Sequence, residues 1–148
     1  SDCAPLWDLV RTVLASGGEV HAMRDLTRGG LAGALYDLAR ASGTTIFIDE
    51  ASLPVRPAVH GACDLLGIDP LGVANEGRLV LFCPSADAPA ILAAMHGHPQ
   101  GAAAVVVGKV GEASRPAAGA TGLAVLRTRL GGQRVIDQPI GEDLPRIC

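Results

Sequence analysis

Along this chain, short apolar stretches with strand character alternate with stretches in which apolar residues recur at helical spacing. Leu6, Leu9, Val10 and Val13 follow the i, i+3, i+4, i+7 pattern of an amphipathic helix. Further helices are predicted from Leu31 towards Gly43, around Val59–Leu66 with Cys63 inward, and after Pro84 with Ile91, Leu92 and Met95 inward. The alternation predicts an α+β fold, an α/β sandwich with one mixed β-sheet and helices packed on it.

Six stretches have the composition of strands. They cover residues 20–24, 44–49, 78–83, 102–110, 123–129 and 133–136. The run from Arg78 to Cys83 is almost uniformly apolar, which is typical of a central strand. The last two stretches flank Gly131-Gly132, which is a hairpin signal.

Composition limits the class of protein. The 148 residues are 49% hydrophobic but only 3% aromatic, so Ala, Val, Leu and Ile must build the core. The net charge of −3 argues against a basic nucleic-acid surface. No apolar run is long enough to span a membrane, and no signal segment is evident. Because the chain opens on Ser1 close to a helical pattern, we expect a piece of a longer protein.

The four cysteines, at positions 3, 63, 83 and 148, form no Cys-x-x-Cys pair, which argues against a zinc knuckle. Cys63 and Cys83 lie in apolar patterns, where a thiol behaves as a small hydrophobe. A reducing, cytoplasmic compartment is therefore expected. His96 and His98 have no third ligand nearby in sequence, so no metal site is predicted.

The C-terminal segment is predicted to differ from the rest of the chain. Residues 1–138 are expected to form the folded domain, and residues 139–148 a mobile tail, because Pro139, Gly141 and Pro145 oppose regular structure. Cys148 is the last residue, and an accessible thiolate is a good nucleophile. The alternative is a frayed end without a role.

A second candidate site is the run from Arg24 to Gly30, between a predicted strand and a predicted helix. Its Asp25-x-Thr27-x-Gly29-Gly30 pattern frees the backbone to approach a ligand, and the helix N-terminus with its arginines favours an anion. The alternative is that Asp25 or Thr27 caps the helix while the glycines permit tight packing. The sequence contains no Walker loop.

Asn75 and Glu76 form a third candidate, in Ala-Asn-Glu-Gly at 74–77 just before the apolar strand. A carboxylate at the mouth of a sheet is well placed to act as a general base. The alternative is a simple turn, because Asn and Gly are turn formers.

Four runs of the sequence together resemble a known family. They are His-Ala-Met-Arg-Asp-Leu-Thr-Arg-Gly-Gly-Leu-Ala at 21–32, Ala-Asn-Glu-Gly at 74–77, Thr-Arg-Leu-Gly-Gly at 128–132 and Leu-Pro-Arg-Ile-Cys at 144–148. They are similar to the HypE family, the carbamoyl dehydratases of NiFe-hydrogenase maturation. The wider resemblance is to the C-terminal domain of the aminoimidazole ribonucleotide (AIR) synthetase, or PurM-like, superfamily. Pro145, Arg146, Ile147 and Cys148 carry the specific part of the resemblance, whereas Leu26 departs from it where the family often has proline.

The resemblance implies an enzyme in which HypF carbamoylates Cys148 and ATP then drives dehydration to a thiocyanate. The cyano group passes to iron on a HypC–HypD complex. The resemblance gives Glu76 the role of base, with its lysine partner in an N-terminal half that this chain lacks. It implies that Pro145, Arg146 and Ile147 position the tail. Arg24, Asp25, Thr27, Gly29, Gly30 and Asn75 would form a phosphate or active-site loop.

The resemblance also implies the partners and cofactors of the whole enzyme. ATP and Mg2+ would be bound mainly by the missing half, with none intrinsic to this chain, which alone would be inactive. The full-length protein would be a cytoplasmic homodimer without nucleic-acid or membrane partners. A different possibility is a non-catalytic docking or binding domain of another enzyme of the superfamily. A sister kinase or synthetase is disfavoured, because such an enzyme requires no cysteine at its last residue.

Overall fold

The computed structural model of the protein describes residues 3–111 and 122–137. Its α-helices are α1 (Trp7–Leu14), α2 (Gly30–Ser42), α3 (Pro57–Leu66) and α4 (Ala88–His96). Its strands are β1 (Ala22–Asp25), β2 (Ile46–Asp49), β3 (Leu79–Phe82), β4 (Gly108–Val110), β5 (Ala124–Arg127) and β6 (Gln133–Ile136). Short 3-10 helices cover Glu50–Ser52, Pro70–Gly72 and Pro99–Gly101. None of the described helices is long and apolar enough to cross a bilayer.

The chain divides into two compact units, each built from two separate segments. The first unit comprises Ser1–Thr27 and Asn75–Val105, and the second comprises Arg28–Ala74 and Val106–Cys148.

In the first unit, β1 pairs antiparallel with β3, and α1 packs against α4. Leu9 and Val13 of α1 and Ile91 of α4 are buried. A Cβ at Gly18 would lie 2.7 Å from Cγ1 of Ile91. The backbone at Gly18 therefore approaches this side chain of α4 more closely than a residue with a Cβ could. Close backbone approach of this kind compensates for the scarcity of aromatic side chains, because a core needs high packing density whatever residues supply it.

The second unit contains a four-stranded mixed sheet in the order β4-β2-β5-β6. β2 runs parallel to β5, whereas β4 and β6 are antiparallel to their neighbours. The core of the unit is made of aliphatic side chains from this sheet and from α2, namely Ala34, Leu35, Ala39, Ile46, Ile48, Ala124, Val125, Leu126 and Ile136. The predicted β5–β6 hairpin is confirmed, with Gly131 at a φ of +86° in its turn.

The α+β class with helices packed on mixed sheet is confirmed, but its strands are divided between two sheets instead of one. Within the described residues β3 pairs only with β1, so the prediction of a central strand at 78–83 was wrong. The strand predicted at 102–110 is reduced to β4, because a 3-10 turn and irregular chain precede it. Residues 139–148, predicted to be a mobile tail, lie outside the described residues.

Helix α3 is less buried than its apolar pattern suggests. Only Cys63 of its residues is buried, whereas Val59 and Leu66, which belong to the same apolar pattern, are 39% and 64% exposed. The helix is apolar almost all round, so periodicity alone could not identify its inner face.

Candidate functional site

The β1–β3 ladder brings two of the sequence candidates together within the first unit. Asp25 pairs with Leu79 at one end of the ladder. Beyond that pair, the Leu26 N–H donates to the carbonyl oxygen of Arg78 at 3.1 Å, and the Asn75 N–H donates to that of Leu26 at 2.9 Å. The segment carrying Asn75 and Glu76 therefore runs directly beside the end of β1.

Glu76 lies in a turn immediately before β3 and is half-buried, as are Asn75 and Arg24. Asp25 is exposed, and Thr27 is half-buried. The turn interpretation and the general-base interpretation of Glu76 are thus compatible, because the turn places this residue just before the start of β3.

Gly29 and Gly30 belong to the second unit, where they begin α2. Both have left-handed backbones, with φ values of +68° and +57°. A Cβ at Gly30 would lie 2.5 Å from the carbonyl oxygen of Val73 and 2.6 Å from that of Leu71. The need for glycine at position 30 is therefore explained by packing against the chain's own backbone, the alternative that the sequence left open.

The other half of that alternative, a cap by Asp25 or Thr27, is wrong. The N-cap of α2 is Gly29, and no side chain caps it. Asp25 and Thr27 are therefore available for another role at the end of β1. The residues of this motif are divided between the two units, with Arg24, Asp25 and Thr27 in the first and Gly29 and Gly30 in the second.

The structure also reveals polar contacts of the second unit that the sequence did not single out. The Asp69 carboxylate accepts the Leu71 N–H at 2.9 Å and pairs with the Arg134 guanidinium. The Glu50 carboxylate accepts the Arg129 N–H at 2.9 Å. With His60, these side chains line a shallow cavity next to the β5–β6 turn. In the sequence, the Asp69-Pro70 pair was the signal that could have indicated the Asp69 cap, because Asp before Pro is a frequent start of a short helix.

The cysteines and histidines of the described residues have ordinary structural roles. Cys3 is exposed and Cys63 is buried, and neither forms a disulfide within the described residues. Burial raises the pKa of the half-buried Cys83 thiol, and the Asp87 carboxylate raises it further. His96 contacts the carbonyl oxygen of Ala104 through Nε2 at 2.8 Å. Nδ1 of His98 accepts the Gln100 N–H at 3.2 Å.

Metal ligands and the predicted tail site are the two remaining points. The described part of the chain contains no cluster of three or more potential metal ligands. Cys148 and its predicted positioning residues Pro145, Arg146 and Ile147 lie outside the described residues.

Comparison with known proteins places this arrangement in context. Residues 1–120 match the family described as AIR synthase related protein, C-terminal domain. Carbamoyl dehydratase HypE of Rhodobacter capsulatus is 51% identical over all 148 residues, and HypE of Cupriavidus necator is also 51% identical over the whole chain. The chain covers 42% and 40% of these two proteins, so it spans about two fifths of their length.

Solved structures give the same result. The chain superposes over its whole length on E. coli HypE, a hydrogenase maturation protein, with a TM-score of 0.88 and 43% identity, covering 43% of that chain. HypE in complex with ATP gives a TM-score of 0.89 at 38% identity, again over the whole chain and 44% of the other. A HypE–HypF complex gives 0.83 at 36% identity over 94% of this chain and 43% of that one. The chain therefore belongs to the family of AIR synthase related proteins, corresponds to their C-terminal domain, and is similar along its whole length to HypE.

Proposed function

We propose that this chain is the C-terminal part of a carbamoyl dehydratase that makes the cyanide ligands of NiFe-hydrogenase. In this proposal Cys148 accepts a carbamoyl group, and ATP drives its dehydration to a thiocyanate. One observation carries the proposal. Just past the Asp25–Leu79 pair of the β1–β3 ladder, the Asn75 N–H bonds to the Leu26 carbonyl oxygen and holds the segment of Asn75 and Glu76 beside the end of β1, in a chain that is similar to HypE over its full length.

The chemistry assigns a defined task to a base. The carbamoylated thiol is an S-carboxamide, whose oxygen is a poor leaving group. Transfer of the terminal phosphoryl group of ATP to that oxygen, with loss of one N–H proton, gives an imidate phosphate and ADP. Loss of the second N–H proton then expels phosphate and leaves S–C≡N. The oxygen leaves as phosphate, and two protons must be accepted from the nitrogen.

Glu76 is the proposed acceptor for one of these protons. Its turn lies just before β3, and the Asn75 N–H bond to the Leu26 carbonyl oxygen holds the neighbouring backbone against the end of β1. A positioned base of this kind contributes typically 10²–10⁴-fold to a rate. Arg24, Asp25, Thr27 and Asn75 are the proposed supporting residues for the phosphorylated group at this end of the ladder.

ATP is consumed as a substrate in this scheme, and Mg2+ would accompany it. Similarity to HypE crystallised with ATP supports nucleotide binding by the whole protein. We assign most of that binding to the part of such proteins that this chain does not cover. The packing of Gly30 against Leu71 and Val73 favours this assignment, because it accounts for the glycine without a nucleotide. The chain alone is accordingly expected to hydrolyse no ATP.

The partners follow from the same reaction. HypF is the proposed carbamoyl donor, supported by the similarity to a HypE–HypF complex. A HypC–HypD complex is the proposed cyano acceptor, and the full-length protein is proposed to be a cytoplasmic homodimer. Residues 139–148 are proposed to be a mobile carrier segment after a domain at 1–138. The proposed role of Pro145, Arg146 and Ile147 is to position Cys148 at each site that it visits.

A second candidate is a non-catalytic binding domain of another enzyme of the superfamily. The exposed apolar side chains of α3, including Leu65 at 87% exposure, favour it, since such side chains often mark docking faces. Mass analysis separates the two functions. After incubation of the full-length protein with HypF, carbamoyl phosphate and ATP, the proposed enzyme carries its adduct on Cys148. A binding domain carries none.

A further inference from the structure

Leu26 makes two backbone hydrogen bonds to the segment that carries Glu76. Its N–H donates to the carbonyl oxygen of Arg78 at 3.1 Å, and its carbonyl oxygen accepts the Asn75 N–H at 2.9 Å. Asn75 and Arg78 are the two ends of a four-residue segment whose middle is the Glu76–Gly77 turn. The turn therefore leaves and returns to the same residue, and all of these residues belong to the first unit.

These two bonds, the Leu26 clamp, constrain the turn more than either bond alone. A single hydrogen bond lets a segment pivot about it, whereas bonds at both ends of the turn fix its tilt as well as its distance from β1. The Leu26 side chain is buried at 8% exposure, which keeps the clamp itself in place. On the side of Arg78 the clamp continues directly into the ladder at the Asp25–Leu79 pair.

The N–H half of the clamp depends on the residue type at position 26. Proline, which the family often has there, carries no N–H and could form only the carbonyl half. Leucine supplies both halves, because every residue other than proline has one backbone donor and one backbone acceptor. The departure of this chain from the family pattern at Leu26 therefore adds a second bond to the Glu76 turn.

We propose that Leu26 is a positioning residue for dehydration and holds Glu76 through the two ends of its turn. It carries no reactive group and acts only through the backbone of that turn. The inference rests on the proposed function, since it takes Glu76 as the base. An error of about 1 Å in the placement of active-site groups can lower a rate on the order of 10²-fold. Loss of one of the two bonds should cost part of that factor.

The experiment uses the full-length protein with HypF, carbamoyl phosphate and ATP, and follows carbamoylation and dehydration separately by mass. Leu26→Pro removes the N–H half of the clamp and keeps the carbonyl half. The preceding residue, Asp25, is in strand β1, and an extended conformation is the one that a following proline favours. His21→Pro is the matched control, because the His21 N–H donates to the Phe82 carbonyl oxygen at 2.8 Å at the opposite end of the same ladder.

We expect Leu26→Pro to lower kcat for dehydration by roughly tenfold and to leave carbamoylation unchanged. His21→Pro should dehydrate at the wild-type rate, and the melting temperature of Leu26→Pro should fall no further than that of His21→Pro. Leu26→Met keeps both backbone bonds and the apolar bulk, so it should behave as wild type. Should Leu26→Pro not fold, the α-hydroxy analogue of leucine at position 26, which has an ester oxygen in place of the N–H, removes the same bond.

A double variant separates placement of Glu76 from a general structural role of Leu26. When Leu26→Pro is added to Glu76→Gln, we expect no further loss in the rate of dehydration, because the group whose placement matters is already absent. A residue with only a structural role would lower the rate by the same factor in both backgrounds.

Three results would overturn the inference. The first is a wild-type kcat in Leu26→Pro, and the second is an equal loss in His21→Pro. The third is an undiminished effect of Leu26→Pro in the Glu76→Gln background. Failure of the proposed function is distinct from all three, because in that case the wild-type protein itself acquires no carbamoyl group.

Discussion

The backbone N–H of Asn75 donates a 2.9 Å hydrogen bond to the carbonyl oxygen of Leu26. This bond extends the β1–β3 ladder past its last strand pair, Asp25 and Leu79. It fixes the separation between two segments that are distant in sequence and that both carry candidate site residues.

Replacing the proposed base should separate the two stages of the reaction. In the full-length protein, Glu76→Gln keeps the shape of the side chain but cannot accept a proton. We expect carbamoylation by HypF to be unchanged and cyano formation to slow by roughly 10²–10⁴-fold. Rapid quenching and mass analysis of the adduct would measure both rates. Glu50→Gln is the control, since Glu50 accepts the Arg129 N–H and an amide oxygen can still do so. Wild-type dehydration in Glu76→Gln would remove this residue from the mechanism.

Removing the terminal thiol should abolish acceptance of the carbamoyl group. Full-length Cys148→Ala incubated with HypF and labelled carbamoyl phosphate should carry no label, because no nucleophile remains at that position. Cys3→Ala, which removes another exposed thiol, should label normally. Equal label on wild type and Cys148→Ala would refute the carrier role.

Two glycine substitutions should differ in their cost to stability. Gly67 has a φ of +66° with open space around its Cβ position, so Gly67→Ala introduces backbone strain alone, about 1–2 kcal/mol. Gly30→Ala adds overlap with the carbonyl oxygens of Leu71 and Val73 to a similar strain at +57°. We expect its free energy of unfolding to fall clearly further, measured by urea denaturation of the full-length protein. Equal losses would mean that the close approach at Gly30 is relieved without cost.

The Cys83 thiol should react slowly and only at high pH. Burial, and secondarily the Asp87 carboxylate, raise its pKa above the ordinary value of 9.0. The folded state therefore holds the proton more tightly than the unfolded chain does. The resulting stability is present below the unfolded pKa and is lost as pH rises through the folded one.

Alkylation by iodoacetamide, followed site by site by mass spectrometry, would measure this shift. At pH 8 we expect exposed Cys3 to react well before Cys83. Asp87→Asn keeps an acceptor for the Glu19 N–H but removes the charge, so it should lower the Cys83 pKa part of the way. A Cys83 that alkylates as fast as Cys3 would contradict the shift.

The sequence predicted those elements whose pattern is local. The helical spacing of Leu9 and Val13 and the glycines after the β5 stretch led to α1 and the β5–β6 hairpin. Local patterns could not show which strands pair, so the division into two sheets was missed. Residues 102–107 have strand composition but no partner strand among residues 3–111 and 122–137, and pairing, not propensity, decides strand formation.

The candidate site shows the same limit. Glu76 and Asp25 could be singled out because their residue types and glycine neighbours are informative on their own. Their alignment depends on the Asp25–Leu79 register, which no local pattern encodes. The contacts of Asp69 were overlooked because its partner Arg134 is far away in the chain and only the fold brings the two together.

The parallel pairing of β2 with β5 also governs when the second unit can fold. β2, at residues 46–49, can pair with β5 only after residues 124–127 have been synthesised, and β6 must then pair with the other edge of β5. The sheet therefore cannot be completed before the ribosome has synthesised β6. Pairing across such a sequence separation is slow, because the loop must close before the contacts form. A nascent chain therefore exposes the apolar face of α2 until Ile136 has emerged, and this interval is when chaperone binding or aggregation would occur.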